Sequence, residues 1–295
     1  MWGKSKYVSC LVAAGIALAP LPASAEEFAG FAFENLSVGL EFNYLNKGLD
    51  ATAAFSVSAQ LPSSGATVQD VENSVGDVKL TEVLTRVSYR FNDHFIPSLL
   101  LGVCGLSFDD KYKVSIPALL SADTTVSYSD STSLAYGFGV EGVLMELPAE
   151  MKLTYGVRTF AFTSSDSTAV PPEEISSLLA SPNPDDKVNF STDVNYREWD
   201  FSFGVSREFQ LDNNFSITPQ LGYLHSSISM KAATDIEYTP GTPNYLNGTA
   251  DRSYGAGLNS LTLGCAGSYQ EFIGATILLV LGDETGISLA VSYTF

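Results

Sequence analysis

The side chains best suited to chemistry in this sequence are two histidines, His94 and His225, and a serine that follows the second, Ser227. A histidine can remove the proton of a serine hydroxyl and so create a nucleophile, provided that a third group orients the imidazole. In a strand, positions 225 and 227 project from the same face. No orienting acid is evident near them, so we assign no catalytic residue and interpret His225 as an interfacial side chain.

Cysteine chemistry finds little support in the sequence. Beyond Cys10, the chain holds only Cys104 and Cys265, which the strand pattern described below places on opposite sides of one wall. Two cysteines that point to opposite sides cannot reach the geometry of a disulfide. We interpret both as small residues of the wall, and we expect no metal site and no cofactor.

The elements that carry these residues are predicted to be strands. From Leu36 onward, bulky apolar residues alternate with small or polar ones over about ten residues, the length that a tilted strand needs to cross a bilayer. The alternation returns at 82–91, 97–104, 134–141, 152–161, 198–205, 215–226, 260–266 and 287–295. It predicts an all-β protein without a membrane-spanning helix after the N-terminal segment.

The chemistry of the two strand faces separates a membrane barrel from a soluble β-sandwich. A sandwich interdigitates the bulky faces of its sheets and places few glycines opposite them, whereas here the bulky face is paired with Gly, Ser, Thr and scattered charges. Aromatic residues also gather near the predicted strand ends, as membrane interfaces favour. The sequence therefore predicts an antiparallel up-and-down transmembrane β-barrel, since a closed barrel leaves no unpaired edge in lipid.

The lengths of the connections predict the orientation and the number of strands. Short turns at 92–94, 147–150, 211–214 and 270–271 alternate with long connections at 47–77, 109–130, 163–195 and 229–253. Outer-membrane barrels have short periplasmic turns, long extracellular loops and an even number of strands. With 273–281 counted as a strand, the prediction is ten strands, and twelve or eight are the alternatives.

Charged residues at inward-facing positions form the main candidate site. They are Glu41, Arg86, Glu141 and Arg158 near mid-height, and Glu82 and Glu198 nearer the outside. A barrel of about ten strands has a narrow interior that side chains nearly fill, and buried charges must pair or be strongly destabilising. We predict an ion-pair network that plugs the barrel or constricts a small pore. Charges that are solvated separately in a wet lumen are the alternative.

The first 25 residues have the pattern of an export signal. Lys4 and Lys6 precede an apolar stretch that ends at two prolines and a run of small residues at 23–25. We therefore predict a cleaved signal peptide at 1–25 and a single barrel domain at 26–295.

The chain has 33 acidic and 15 basic residues and a net charge of −18, which argues against nucleic acid as a partner.

The C-terminal residues 287–295 resemble the last strand of Gram-negative outer-membrane proteins, which ends in a lipid-facing Phe with an aromatic residue two positions earlier. The resemblance implies that Tyr293 and Phe295 are recognised by the barrel-insertion machinery and that the protein is integral to the cell outer membrane, in contact with its lipid.

Omptin proteases are ten-stranded barrels of similar size, but their site needs an Asp-x-His pair. Here Tyr223 stands two residues before His225.

Three functions remain open from the sequence. It favours a non-enzymatic barrel that is structural or forms a narrow porin-like channel for small solutes. The alternative is a surface-exposed adhesin or ligand-binding barrel, which would contact a host surface through acidic extracellular loops. An outer-membrane protease or lipid hydrolase is the third, and we predict that the chain is not an enzyme.

Overall fold

The computed structural model describes residues 35–55, 71–116, 120–170, 187–239, 247–270 and 272–295. The strands are β1 Leu36–Phe55, β2 Val71–Tyr89, β3 Ile96–Ile116, β4 Leu120–Leu147, β5 Met151–Val170, β6 Lys187–Arg207, β7 Phe209–Gln210, β8 Phe215–Thr239, β9 Asn247–Tyr269, β10 Ile273–Gly282 and β11 Glu284–Thr294. The predicted signal peptide at 1–25 lies outside the described residues. Within them, no helix is long and apolar enough to span a membrane.

The strands form one closed antiparallel barrel. Consecutive strands pair from β1 to β6 and from β8 to β11, and the ring closes through pairing of β1 with β11 and of β6 with β8. The two-residue strand β7 pairs only with the start of β8 and belongs to the turn before it. The wall therefore has ten strands, which confirms the predicted number and the up-and-down topology.

Bulky apolar side chains cover the outside of the wall over the middle of the barrel. The exposed ones define an apolar belt, whose members include Phe42, Tyr44, Leu99, Leu101, Leu134, Tyr136, Phe138, Trp199, Phe201, Phe203, Leu221, Tyr223, Leu261, Leu263, Ile277, Leu279, Leu289, Val291 and Tyr293. Such a belt on a closed barrel faces lipid, because water would not favour so large an apolar surface. The molecule is an integral outer-membrane β-barrel.

The four short turns predicted from the sequence lie together at the periplasmic end of the barrel. They include the β2–β3 turn, which holds His94, and a single 3-10 turn at Pro148–Glu150 between β4 and β5. The exposed His94 ring places Nδ1 2.6 Å from the backbone carbonyl oxygen of Val143. His94 therefore helps to hold the β2–β3 turn against strand β4.

At the extracellular end, the strands continue far past the apolar belt. β4 has 28 residues and β8 has 25, whereas β10 and β11 have only 10 and 11. Much of the sequence that was predicted as long connections is therefore strand, and we call these strand ends the extracellular extension. The prediction missed them because the pattern reverses there: polar side chains face outward to water and apolar ones face inward, as in soluble sheets.

The last strand completes the ring, and this suggests a test of assembly. The Phe295 backbone N–H donates to the Leu36 carbonyl at 3.0 Å, and the Tyr293 and Phe295 rings lie 5.1 Å apart. We expect deletion of Phe295, or Phe295→Asp, to lower outer-membrane insertion severalfold and leave export intact, because an unclosed barrel exposes strand edges. Heat-modifiable migration of the membrane fraction measures insertion, and Tyr269→Ala is the control. Unchanged insertion of the Phe295 variants would contradict the expectation.

Candidate functional site

The inward-facing charges of five strands meet in the lumen. Arg86 on β2 places Nη1 3.1 Å from Glu41 Oε1 and Nη2 2.7 Å from Glu141 Oε2. Arg158 on β5 places Nη2 2.9 Å from Asp200 Oδ2, and its Nη1 lies 3.9 Å from carboxylate oxygens of both Glu41 and Glu82. Glu41 thus contacts both arginines. We call Glu41, Glu82, Arg86, Glu141, Arg158 and Asp200 the lumen network.

The lumen network is wet toward the periplasm and dry toward the outside. The Glu141 side chain is 46 % exposed, whereas Glu82 is fully buried. Deeper in the lumen, neutral side chains replace water as hydrogen-bond donors. Asn43 Nδ2 donates to Glu82 Oε2 at 2.7 Å, and Ser226 Oγ donates to Asp200 Oδ1 at 2.7 Å. The solvent-accessible part of the lumen therefore opens toward the periplasm and ends at about the level of Glu82.

A second charged group lies beyond the lumen network, where Lys47 joins two carboxylates. Lys47 Nζ is 2.5 Å from Glu198 Oε1 and 3.0 Å from Glu284 Oε2, and Tyr196 donates its hydroxyl to Glu198 Oε2 at 2.5 Å. These four residues form the Lys47 cluster, and all are nearly inaccessible to solvent. The prediction that Lys47 begins a loop is wrong, because β1 continues to Phe55 and turns its side chain inward.

Apolar side chains fill the lumen of the extracellular extension. Phe162 stacks on Tyr196 with ring centroids 4.9 Å apart, and Phe108 stacks on Tyr128 at 4.8 Å. Around these pairs pack the other members of what we call the apolar plug: Leu45, Leu49, Val75, Val78, Leu80, Leu106, Phe160, Val194, Ile228, Met230, Ala232, Tyr254 and Leu258. The expected small and polar inner face therefore exists only within the belt.

His225 and Ser227 project from the outside of the wall at the extracellular edge of the apolar belt. Their outward direction agrees with the alternation of β8. On the adjacent strand β9, Asn259 pairs with His225 in register, and its Oδ1 lies 3.0 Å from His225 Nδ1. Asn259 Oδ1 also accepts a hydrogen bond from the Tyr223 hydroxyl at 2.5 Å. We call Tyr223, His225, Ser227 and Asn259 the wall site.

Sequence reasoning missed Asn259 because it looked for an acid close to the histidine. The orienting group is an amide, and it stands 34 positions away from His225. The outward parity of β9 could have marked Asn259 as a polar residue on the lipid-facing side. Nothing in the sequence, however, gives the register between β8 and β9.

The cysteines lie as the alternation predicts. Cys104 is buried on the inner face, Cys265 is partly exposed on the outer face, and both are free thiols. Across the described ranges, no group of three His, Cys, Asp or Glu side chains could hold a metal ion.

Neither a family model nor a curated protein sequence matches this chain. Solved structures that resemble it include the outer membrane protein OprG from Pseudomonas aeruginosa, with 11% identity, a TM-score of 0.36 and coverage of 88% of this chain and 96% of that one. The outer membrane protease OmpT from Escherichia coli has 10% identity and a TM-score of 0.36, covering 92% and 100%. The β domain of the Bordetella autotransporter BrkA has 10% identity and a TM-score of 0.38, covering 88% and 98%. At these values the likeness carries no inference about function.

Proposed function

We propose that the protein is a closed outer-membrane barrel that conducts no solutes and holds a folded extracellular extension above the membrane. The observation that supports this proposal is the burial of inward-facing side chains. Lys47 and Phe160 are 0 % exposed, and Tyr196 is 1 % exposed. A water-filled pore would leave such side chains wet along its whole length. Within the lumen network, the exposure of side chains rises toward the periplasmic end, where Glu141 is 46 % exposed.

The Lys47 cluster and the apolar plug close the lumen at two heights, and each stabilises the strands around it. The Lys47 cluster joins β1, β6 and β11 across the barrel, so it holds these strands in one arrangement. Above it, the apolar plug supplies hydrophobic stabilisation, at roughly 25 cal/mol per Å² of apolar surface removed from water. Strand ends that project beyond lipid need such a core, because the membrane no longer supports their apolar face. The lumen therefore acts as the core of a folded domain.

Planar-bilayer recording of the refolded protein tests the closed barrel directly. We expect no resolvable conductance steps from the wild type, because a path through the lumen would have to separate the Lys47 cluster and the apolar plug. Phe160→Ser combined with Phe162→Ser should introduce discrete steps, since small polar side chains admit water where two rings now pack. The lipid-facing Phe138→Ser is the matched control and should stay silent. Stable wild-type steps would contradict the proposal and favour a narrow channel.

A further inference from the structure

The wall site holds a histidine in one defined tautomer. The Tyr223 hydroxyl donates to Asn259 Oδ1, the oxygen of the side-chain amide, at 2.5 Å. An amide oxygen carries no proton, so His225 Nδ1 must donate the hydrogen bond that joins it to Asn259 at 3.0 Å. In a neutral imidazole, the other nitrogen is then an acceptor. His225 Nε2 is therefore available to take a proton, as the base of a hydrolase requires.

Ser227 is the hydroxyl that follows His225 on the outward face of β8. It is exposed and pairs in register with Gly257 on β9. The imidazole leans over the same glycine, with Nε2 3.9 Å from the position that a Cβ at residue 257 would occupy. Cross-strand partners have Cβ atoms about 4.5–5.5 Å apart. Catalysis by this pair requires the serine rotamer that brings Oγ within hydrogen-bond reach of Nε2, a contact that tightens when substrate binds.

Asn259 is fixed by the turn between β10 and β11. Its backbone N–H donates to Asp283 Oδ2 at 2.9 Å, and its carbonyl accepts from the Asp283 N–H at 3.1 Å. The turn depends on Gly282, whose φ is +149° and where a Cβ would lie 2.6 Å from the Asn259 carbonyl oxygen. A β-hairpin thus holds the orienting amide against the histidine.

The surroundings of the wall site indicate the substrate class. Below it, toward the middle of the membrane, Leu221, Leu261 and Leu263 face the acyl chains of lipid. Trp199 pairs in register with Ser227 and gives the site an aromatic flank at the membrane surface. Further out on the same wall, Arg197 and Lys231 are exposed cations, which attract anionic lipid headgroups. Ser227 therefore lies between an apolar and a cationic part of the wall, an arrangement that matches the acyl esters of membrane lipids, which lie between acyl chains and phosphates.

We propose that the wall site is a serine esterase that hydrolyses acyl esters of phosphate-bearing lipids in the outer leaflet. Ser227 Oγ attacks the ester carbonyl carbon while His225 Nε2 takes its proton. The carbon–oxygen bond of the ester then breaks, and the imidazolium returns the proton to the departing alcohol. Water, activated by the same nitrogen, hydrolyses the acyl-serine and releases a fatty acid. Asn259 and Tyr223 are positioning residues.

This activity goes beyond the closed barrel proposed above and does not depend on whether the lumen conducts, because the wall site faces lipid. It departs from the sequence-based prediction that the chain is not an enzyme. That prediction rested partly on the lack of an orienting acid near His225 and Ser227, a role that Asn259 fills in this proposal through its amide oxygen.

Covalent labelling and lipid hydrolysis together test the esterase. The refolded full chain is treated with an alkyl fluorophosphonate, which forms a bond from Ser Oγ to phosphorus with loss of fluoride. We expect the label on Ser227 in peptide mass spectra, and none on Ser229, which faces the same side two residues further along β8. Because this arm uses the wild type, it does not depend on the folding of any variant. Labelling of Ser229 equal to that of Ser227 would overturn the proposal.

Hydrolysis is measured as fatty acid released from two kinds of vesicle, one of glycerophospholipids and one of lipid A. Ser227→Ala and His225→Ala should lower release at least about 100-fold, and the control Ser229→Ala should not change it. Release from only one kind of vesicle identifies the lipid that serves as substrate. Release from neither, or release that Ser227→Ala leaves unchanged, would overturn the proposal.

The role of Asn259 gives a further readout that a purely structural residue would not show. Asn259→Ala should lower release at least about tenfold, because the imidazole loses its fixed orientation. Asn259→Asp should restore much of the loss, since a carboxylate also accepts the proton of Nδ1. Heat-modifiable migration confirms that each variant is a folded barrel. Equal activity of the Ala and Asp variants would contradict a positioning role.

Discussion

Lys47→Ala is expected to lower the free energy of unfolding by about 3–5 kcal/mol, the usual cost of removing one partner of a buried ion pair. Lys47 Nζ lies 2.5 Å from Glu198 and 3.0 Å from Glu284, and all three side chains are 1 % exposed. Without the lysine, two carboxylates face each other in a dry lumen. Urea unfolding of the barrel in lipid vesicles measures the change.

Two comparisons make the Lys47 result specific. Lys79→Ala removes an exposed lysine of the neighbouring strand β2 and should change the free energy by less than about 0.5 kcal/mol. Lys47→Met combined with Glu198→Gln and Glu284→Gln should recover much of the loss, because the variant has no buried charge left to compensate. If Lys47→Ala unfolded at the same urea concentration as wild type, the cluster would contribute nothing to stability.

Arg158→Ala is expected to destabilise the barrel by about 3 kcal/mol or more, because Asp200 and Glu82 would stay buried without their cation. Arg86→Ala should cost less, since its partner Glu141 is 46 % exposed and can be solvated by water that enters from the periplasm. Unfolding of each variant in urea provides the comparison. Val140→Ala, on the lipid-facing side of β4, is the control for loss of a side chain in the wall.

Glu41 couples the two arginines and makes their effects non-additive. It lies 3.1 Å from Arg86 and 3.9 Å from Arg158, so removal of either arginine changes the environment of the other. The double variant should differ from the sum of the single variants by about 0.5–3 kcal/mol, the range found for residues that share a partner. Additive effects would show that the two arginines act as separate pairs and that the lumen network is not one unit.

The sequence alone was sufficient for the barrel. The alternation of β1 and β11 has a period of two residues, and that period by itself separates a lipid-facing from a lumen-facing side. The short turns were visible as interruptions of the pattern, and they led to ten strands and to the orientation. The same parity put Glu41, Arg86, Glu141 and Arg158 inside and His225 outside. Strand parity and the positions of turns depend only on neighbours along one strand, so they can be predicted from the sequence.

The tertiary structure alone decided which side chains meet. Lys47 reaches Glu198 across 151 positions and Asn259 reaches His225 across 34, and both contacts depend on the register between strands. The type and length of a short turn fix the register of the two strands that it joins. The connection between β8 and β9 is longer, and its length does not determine their register. The apolar plug was hidden for a related reason: beyond the lipid, the same two-residue period has its apolar side turned inward. Only closure of the wall shows which environment each face meets.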